Sequence, residues 1–476
     1  MSKPAFTDCP HLQATPGESV AARQPGVLLE PPSPKLPPWK VALRFMKNPF
    51  DTISAARAEC GDLFVLQLPG LGRVAFLCRA DLLHQVYRMP EEDVVAGEIR
   101  GRILAELTGE KVSTCLDGEE FKDRRRVMAP FLNGRKVEEH IPFIVRLTEG
   151  LIDELQTGNE QELQKRFDHL TRMTISRILF GARSAAQVDH LTELVSRYLE
   201  AFEWRAVQMP FLRKHLGPWS PWTRFKKRHR ALYEALEDEV RGITSGGEAA
   251  GEHGDDLMAA LVAAGLYEDS EESIDAAVQE LIGLAVGGAE TTSKALSWTV
   301  RGLLTERSAW DGLRQELDEV LGDRPLEARD LKQLPYLEAV VHEGLRHQSV
   351  GPFAGPRLAK KEIQVGGYRI PPGTAMVQAL HEVGRGPLFP DPETFDPNHF
   401  YGCEVKQRDW VPFGGGTRKC TGMGLALVEL SAVVATLVQR TEMTLGSGPT
   451  GPIQAGIAHR PRNNMRVRFG GRRAPA

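Results

Sequence analysis

The chain has 476 residues, 41% of them hydrophobic, and is long enough to bury a large core. Its net charge of −4, with no long block of one sign, argues against nucleic acid as a partner, because phosphate binding needs a basic face. The six cysteines are scattered without Cys-x-x-Cys or zinc spacing, which is typical of a reducing compartment rather than of a disulfide scaffold.

The N-terminal stretch lacks the apolar centre of a signal peptide, and its acidic residues Asp8 and Glu18 are unlike those of a transit peptide. No uncharged apolar run reaches about 18 residues, the length that spans a bilayer. These features predict a cytoplasmic protein without a transmembrane segment. Five prolines between positions 28 and 40 predict an extended lead-in, which we place at residues 1–40.

The first predicted regular element is a β-hairpin at 63–77, where Pro-Gly separates two apolar runs. From Asp81 onward the pattern is mainly helical, and segments 144–155 and 191–202 have apolar residues at three- and four-residue spacing. The polar, glycine-rich stretch 246–256 predicts a surface loop.

The longest apolar-periodic segment, 274–304, predicts a helix of about 45 Å. Proline and glycine become frequent after Pro352. The other elements predicted in this half are helices at 310–321, 331–347 and 424–439, and strands at 363–365 and 465–469. The predicted fold class is therefore mainly α with small β-sheets.

The sharpest chemical feature is the run from Phe413 to Gly422, FGGGTRKCTG, just before the last predicted helix. The helix dipole and free backbone N–H groups would stabilise a thiolate at Cys420. Gly416 and Gly422 would let the backbone pass close to a flat macrocycle. Phe413 would shield the sulfur, and Arg418 would meet a carboxylate at the edge of the ring. The alternative is a glycine-rich turn with Cys420 as a small buried residue.

These ten residues resemble the cysteine loop of the cytochrome P450 family, and they match its F-x-x-G-x-R-x-C-x-G pattern at every fixed position. The resemblance implies a haem-thiolate monooxygenase of the soluble bacterial type, with Cys420 as the iron ligand of haem b. It also implies a P450 fold with a long central helix over the haem, and a single catalytic domain at 41–476.

Glu343 and Arg346, three residues apart on a predicted helix, share one face. Such pairs are usually solvated surface ion pairs. The family has an E-x-x-R helix at this place, completed by a third polar residue that is usually arginine. His399 occupies that position here, and the resemblance implies that the three residues support the haem loop.

Within the long helix, the run from Gly287 to Thr292, GGAETT, is costly by about 1 kcal/mol per glycine relative to alanine. One explanation is a close helix crossing with threonines bonded back to carbonyls. The run is also similar to the family's oxygen-activation motif. That resemblance implies that Thr291 hydrogen-bonds dioxygen and that Glu290 relays protons from solvent.

Two further stretches resemble the family's contacts to the haem propionates. Phe121 and Arg125 match its W-x-x-x-R helix, with phenylalanine in place of tryptophan. Arg357 occupies the place of another propionate arginine. By comparison with the family, a substrate pocket for a hydrophobic small molecule is expected at Ala285, Ala289, Val350, Phe353 and Ile457.

The sequence has no flavin- or nicotinamide-binding segment and no iron–sulfur cysteines. The resemblance therefore implies electrons from external NAD(P)H, delivered by a separate ferredoxin or flavodoxin. A basic patch for this acidic carrier is hypothesised at Lys122, Arg124, Arg126, Arg135, Lys136 and Lys419. Three alternatives stay open: a peroxide-driven peroxygenase on the same scaffold, a non-catalytic haem protein, and a haem-free helical binding protein.

Overall fold

The computed structural model describes residues 29–181, 184–209, 212–245, 256–264, 270–403 and 410–473. Helix makes up 58% of the structure, which confirms the mainly α class. The chain forms two compact units. The first comprises residues up to Ile103, Thr114–Gly118 and His342–Cys420, and the second comprises Leu104–Ser113, Glu119–Val341 and the residues from Thr421. The expectation of a single domain at 41–476 stays a prediction.

The described residues of the first unit form four whole α-helices and seven strands. The helices are α1 (Pro38–Lys47), α2 (Pro49–Cys60), α3 (Ala80–Tyr87) and the short α16 (Leu380–Val383). The strands are β1 (Leu63–Leu68), β2 (Gly72–Leu77), β3 (Val94–Val95), β5 (Ala354–Ala359), β6 (Ile363–Val365), β7 (Tyr368–Ile370) and β8 (Ala375–Gln378). Three helices run across the boundary along the chain: α4 (Gly97–Thr108), α5 (Gly118–Leu132) and α15 (Pro335–His347).

A five-stranded sheet in the order β1-β2-β8-β5-β3 forms the core of the first unit. Strands β1 and β2 are the predicted hairpin, with Leu63 opposite Leu77. Most residues of both strands are buried, and their aromatic rings pack in the core of the unit. Phe64 and Phe76 stack at 5.4 Å between ring centroids, and Phe353 meets Phe76 edge-on at 5.9 Å.

The described part of the second unit is mainly helical, with two small antiparallel sheets. Its helices are α6 (Arg135–Glu138), α7 (Ile141–Asp153), α8 (Leu163–Phe180), α9 (Ala185–Phe202), α10 (Arg205–Gln208), α11 (Pro221–Thr244), α12 (Leu257–Ala263), α13 (Glu271–Thr305), α14 (Arg307–Val320) and α17 (Met423–Arg440). Its strands are β4 (Glu160–Glu162), β9 (Thr441–Leu445), β10 (Pro452–Ala455), β11 (Ala458–Pro461) and β12 (Arg466–Arg472). They form the two sheets in the orders β4-β12-β9 and β10-β11.

Helix α13, with 35 residues, is the predicted long helix. The Ser270 side chain caps its first turn by accepting from the N–H of Ser273. The helix packs closely on α8, and a Cβ added at Gly288 would lie 2.7 Å from Cδ1 of Ile175. The glycine at 288 is therefore explained by the close helix crossing that the sequence left open as an alternative.

Most other predicted elements are present, with ends shifted by a few residues. The lead-in is shorter than predicted, because α1 already begins at Pro38, where proline suits the first helical turn. The predicted surface loop at 246–256 lies almost wholly outside the described residues. One described helix, α17, is long and apolar enough to cross a membrane, but 61% of it is buried within the protein, as in the core helix of many soluble proteins.

Candidate active site

Two backbone hydrogen bonds within the cysteine loop hold it in a closed turn. The N–H of Cys420 donates to the carbonyl of Phe413 at 2.9 Å, and the N–H of Lys419 donates to that of Gly416 at 3.2 Å. The loop leaves the Cys420 side chain exposed, three residues before α17 begins at Met423. The predicted placement of this cysteine before the last helix is confirmed.

The two glycines named in this loop differ in the contacts that a side chain would make at their positions. Gly416 has φ +65°, and a Cβ there would lie 2.6 Å from the carbonyl oxygen of Tyr87 at the end of α3. A Cβ at Gly422 would meet no atom within 4 Å. Close approach to α3 thus requires a glycine at 416, and the expected approach of both glycines to a macrocycle stays a prediction.

Two arginines of the first unit lie buried near this loop. Arg357 is 5% exposed and donates weakly, at 3.5 Å, to the carbonyl of Gly415, and Arg418 is 6% exposed. Burial, aided by the charges of Arg100 and Arg418, lowers the pKa of Arg357 to about 9. Arg100, on α4, was missed in the sequence, because only the fold brings α4 near residue 357.

Asp117 is the carboxylate of this arginine cluster. It pairs with Arg418, and it also accepts from three backbone N–H groups at the start of α4, those of residues 96–98. Arg100 has no side-chain hydrogen bond or ion pair with a described residue. Three guanidinium groups thus share one carboxylate that is already engaged, and the cluster is suited to binding an anion.

In the second unit, Phe121 and Arg125 lie on α5. Phe121 is 4% exposed, and Nη1 of Arg125 donates to Oγ1 of Thr421 at 2.8 Å. Their neighbour Arg124 is also buried and pairs with Glu280 at 3.3 Å. The hypothesised basic patch is therefore wrong at Arg124, whose charge is used inside the protein.

Glu343, Arg346 and His399 come together in the first unit, as predicted. Arg346 and Glu343 are completely buried and form a two-bond ion pair with N–O distances of 2.6 and 2.7 Å. Arg346 also donates to the carbonyls of Gly384, Pro392 and Thr394. Because both side chains are buried, Glu343 and Arg346 are not a solvated surface pair. Their cluster connects α15 to the segment that precedes the cysteine loop.

His399 completes the cluster. Its Nδ1 lies 3.3 Å from both carboxylate oxygens of Glu343, and its Nε2 lies 2.7 Å from the carbonyl of Pro390. Burial lowers the pKa of His399, but the hydrogen bond and charge of Glu343 outweigh that effect, so the pKa is raised overall.

Thr291 and Gly287 lie one turn apart on a solvent-accessible face of α13. Oγ1 of Thr291 donates to the carbonyl of Gly287 at 2.9 Å, so the predicted back-bonding is present. A Cβ at Gly287 would meet no atom within 4 Å. Helix packing therefore explains Gly288 but not Gly287.

Glu290 lies on a different face of α13 and is only 1% exposed. Its Oε2 is 3.2 Å from Nζ of Lys294, and a Cβ at Gly456, in the β10–β11 turn, would lie 2.7 Å from the same oxygen. Burial raises the pKa of Glu290 to about 8, with nearby acids adding to the rise and nearby cations opposing it. Glu290 is thus shielded from direct contact with solvent, and its expected role in a proton relay stays a prediction.

Lys294 is the centre of a buried ionic cluster that the sequence analysis missed. Its Nζ is 2.9 Å from Asp168 and 2.6 Å from Glu203, in addition to Glu290, and its side chain is completely buried. Asp168, Glu203 and Arg172 also line an open cleft of about 880 Å³ beside α8 and α9. The one available signal was the four-residue spacing of Glu290 and Lys294.

The five residues expected to line a substrate pocket fall in both units. Val350 and Phe353 belong to the first unit, where Phe353 packs on the aromatic core of the sheet. Ala285 and Ala289 are each 1% exposed in α13, and Ile457 is 40% exposed in the β10–β11 turn. Their role as a pocket stays a prediction.

Comparisons with a family model and with individual known proteins agree on one family. The family model described as "Cytochrome P450" matches residues 31–465. The protein named cytochrome P450 135B1 of Mycobacterium tuberculosis is 27% identical over 419 residues, covering 87% of this chain and 85% of the relative. Cytochrome P450 138 of the same species is 26% identical, covering 94% and 98%.

A solved structure is similar over almost the whole fold. It is described as retinoic acid bound cyanobacterial CYP120A1, and it superposes with a TM-score of 0.78 at 23% identity. The match covers 93% of this chain and 99% of the other. At this identity the likeness concerns the fold alone.

Proposed function

The chain belongs to the cytochrome P450 family and is a P450 monooxygenase, and we propose that it inserts one oxygen atom from O2 into a hydrophobic small molecule. The second oxygen atom leaves as water, so two electrons and two protons are required. The exposed cysteine of the closed loop carries this proposal, because it presents a sulfur ligand at the position of the family's motif.

The residues of the chain fit haem b, the cofactor that the family implies. Cys420 would supply the sulfur ligand of the iron, and Phe413 would shield that sulfur. The cluster of Arg357, Arg418 and Arg100 has Asp117 as its acidic partner, and two propionate groups would add negative charge beside Arg357 and Arg100, whose pKa values are lowered by burial. Arg125 would hold a propionate as well, while Gly416 and Gly422 shape the loop.

Haem with a thiolate ligand supplies the redox chemistry that activates O2. The chain would deliver the protons from solvent. We propose that Thr291 and Glu290 act together: the hydroxyl of Thr291 would hydrogen-bond dioxygen, and the raised pKa of Glu290 keeps a proton on its carboxyl group near neutral pH. Protons would reach Glu290 from the open cleft by way of Asp168, Glu203 and Lys294.

Glu343, Arg346 and His399 would support the haem loop rather than act in catalysis. Arg346 holds three backbone carbonyls between residues 384 and 394, upstream of the loop. Its ion pair with Glu343 fixes the guanidinium while it does so. The cluster thereby fixes the path of the chain that leads to Cys420.

The substrate class follows from the apolar character of the expected pocket residues Ala285, Ala289, Val350, Phe353 and Ile457. We propose a lipophilic small molecule, such as a fatty acid, terpenoid, steroid or polyketide. The electrons would come from external NAD(P)H through a separate ferredoxin or flavodoxin, in a soluble, cytoplasmic enzyme.

The decisive experiment compares the reduced, carbon monoxide-treated protein with its Cys420→His and Cys420→Ala variants. The unmodified protein is expected to show the red-shifted Soret band of thiolate ligation, and both variants are expected to lose it. A band that survives either substitution would exclude Cys420 as the ligand. Lipophilic compounds that shift the Soret band of the unmodified protein would then identify the substrate class.

Peroxide-driven peroxygenation is the second candidate, and it needs no proton delivery to dioxygen. The buried Glu290–Lys294 cluster favours the O2-dependent reaction, because a peroxygenase has no use for it. Turnover with hydrogen peroxide that matched turnover with a reductase chain would reverse this preference. A non-catalytic haem protein would turn over substrate neither with hydrogen peroxide nor with a reductase chain.

A further inference from the structure

The open cleft beside α8 and α9 is lined almost entirely by polar and charged side chains. Thirteen of its fifteen lining residues are polar or charged, and the exceptions are Met173 and Trp204. All fifteen belong to the second unit. The cleft volume of about 880 Å³ lies within the range of roughly 300–1,000 Å³ that is typical of sites for small molecules. None of the five apolar residues expected to form the substrate pocket lines the cleft, so the cleft suits a different, polar ligand.

Two arginines of the cleft have no carboxylate at hydrogen-bond distance among the described residues. Arg172, on α8, is 8% exposed, and its ion pair with Glu290 is long, at 4.0 Å. Because burial raises the pKa of Glu290 to about 8, that carboxyl group leaves the charge of Arg172 unbalanced near neutral pH. Arg460, on β11, donates to the side chain of Asn464. A buried guanidinium without a charged partner is costly, so an anionic group of a ligand would be favoured at Arg172.

The opposite wall of the cleft, formed by α9 and the residues that follow it, is acidic. Its charged lining residues are Asp189, Glu193, Glu200 and Glu203. Glu193 and Glu200 already pair with arginines outside the cleft. Asp189 is exposed and forms no ion pair with a described residue, and Glu203 shares Lys294 with two other carboxyl groups. Asp189 and Glu203 can therefore accept hydrogen bonds from a cationic group of a ligand.

The separation of the two walls matches the length of a short peptide. Helices α8 and α9 pack against each other, and the axes of packed helices lie about 8–10 Å apart. An extended tripeptide spans about 10 Å, since each residue adds about 3.5 Å. Two lining residues also offer uncharged polar atoms: Oγ1 of Thr192 and Oε1 of Gln164 have no hydrogen-bond partner among the described residues, and both side chains are buried. Such atoms suit the N–H groups of a peptide.

We propose that the open cleft binds a zwitterionic molecule of the size of a short peptide, with its carboxylate at Arg172 and its ammonium group at Asp189 and Glu203. A ligand that is only anionic would be repelled by the acidic wall. A ligand that is only cationic would leave the buried guanidinium without a partner. A zwitterion satisfies both walls at once. This inference rests on the charges of the cleft and is independent of the proposed monooxygenase reaction.

Isothermal titration calorimetry of the intact, haem-containing protein with three matched peptides tests the proposal. Trialanine is expected to bind, whereas N-acetyl-trialanine and trialanine amide, which each lack one charge, should bind about tenfold more weakly. Arg172→Gln should lower the affinity for trialanine about tenfold and should make trialanine and its amide bind alike. Asp189→Asn, at an exposed position, should weaken binding of trialanine while the fold is retained. Arg166→Gln, on α8 but outside the cleft, is the matched control and should bind trialanine normally.

The titration also separates the cleft from the expected substrate pocket. The Soret band should stay unchanged while trialanine binds, because the two sites share no residue. A Soret shift that saturates together with the heat of binding would place the peptide in the substrate pocket and overturn the proposal. Equal affinity for the three peptides would also overturn it, as would unchanged affinity in both Arg172→Gln and Asp189→Asn. A lack of trialanine binding at about 10 mM would have the same consequence.

Discussion

Nδ1 of His399 lies 3.3 Å from each carboxylate oxygen of Glu343, although Arg346 already binds both of those oxygens. The histidine therefore adds a partner whose charge depends on pH, at a place where the family usually has a permanently charged arginine. The stability of the segment before the cysteine loop should then depend on pH in a way that an arginine would not produce.

The first prediction concerns this pH dependence. The folded-state pKa of His399 is raised, so its stabilising contribution is complete below the unfolded-state pKa and is lost as pH rises through the folded-state value. Replacing His399 by arginine should remove this part of the decline in unfolding free energy above pH 6.5, whereas His399→Ala should cost about 1–3 kcal/mol at pH 6. Chemical denaturation at a series of pH values measures both effects. Parallel pH profiles for the histidine and arginine proteins would contradict the prediction.

The second prediction concerns Glu429, a buried carboxyl group on α17. Burial raises the pKa of Glu429 to about 8. Because this pKa exceeds the unfolded-state value, the free energy of unfolding should fall as pH rises from about 4.5 to about 8 and then level off. Glu429→Gln should remove this slope and stabilise the protein by up to about 3 kcal/mol at pH 7. Glu319→Gln, on the surface of α14, is the control and should leave the slope unchanged.

The third prediction concerns Lys294. Lys294→Met leaves Asp168, Glu203 and Glu290 without their shared cation, and a buried charge that loses its partner typically costs about 3–5 kcal/mol. Adding Asp168→Asn should restore part of this loss, because one fewer carboxylate then needs a counter-charge. Adding Glu290→Gln should restore little, because the raised pKa of Glu290 already keeps its carboxyl group protonated near neutral pH. Thermal unfolding of the two double variants measures the difference. Equal gains in stability from the two added substitutions would contradict the protonated state assigned to Glu290.

The fourth prediction concerns Arg100. The pKa values of Arg100 and Arg357 are both lowered, mainly by burial. Arg100→Gln should therefore stabilise the haem-free protein, while it should weaken haem retention by about tenfold through loss of a propionate partner. Haem transfer to an apoglobin measures retention, and denaturation of the apoprotein measures stability. Effects of the same sign on both would refute the assignment, and Arg100→Lys should preserve retention better than Arg100→Gln.

The fifth prediction concerns Thr291. Thr291→Ala should lower the amount of product formed per NAD(P)H consumed, because the hydroxyl proposed to hydrogen-bond dioxygen is lost, whereas Thr291→Ser should retain most of it. Thr292→Ala, at a buried neighbouring position, is the control for helix stability. Equal product yield from Thr291→Ala and the unmodified protein, at matched haem content, would remove Thr291 from the proposed mechanism.

The local sequence by itself determined the elements whose signals lie within a few residues of each other. The β1–β2 hairpin, the long helix α13 and the position of Cys420 before α17 could all be predicted, because periodicity, turn residues and motif spacing are short-range properties. The same holds for the pairing of Glu343 with Arg346, which share one face of a helix. The observed ends of these elements differ from the predicted ends by a few residues, because capping residues and packing set where a helix ends.

Tertiary structure alone decided which charges are buried and what they contact. Arg124 reads as a surface residue but pairs with the buried Glu280, Arg100 joins arginines more than 250 positions away, and Lys294 collects carboxylates from two other parts of the chain. Burial and desolvation depend on all the elements that pack around a group, so no local pattern contains them. The loop motif singles out Gly416 in the sequence. The contact that requires a glycine there, with the backbone of Tyr87, is known only from the fold.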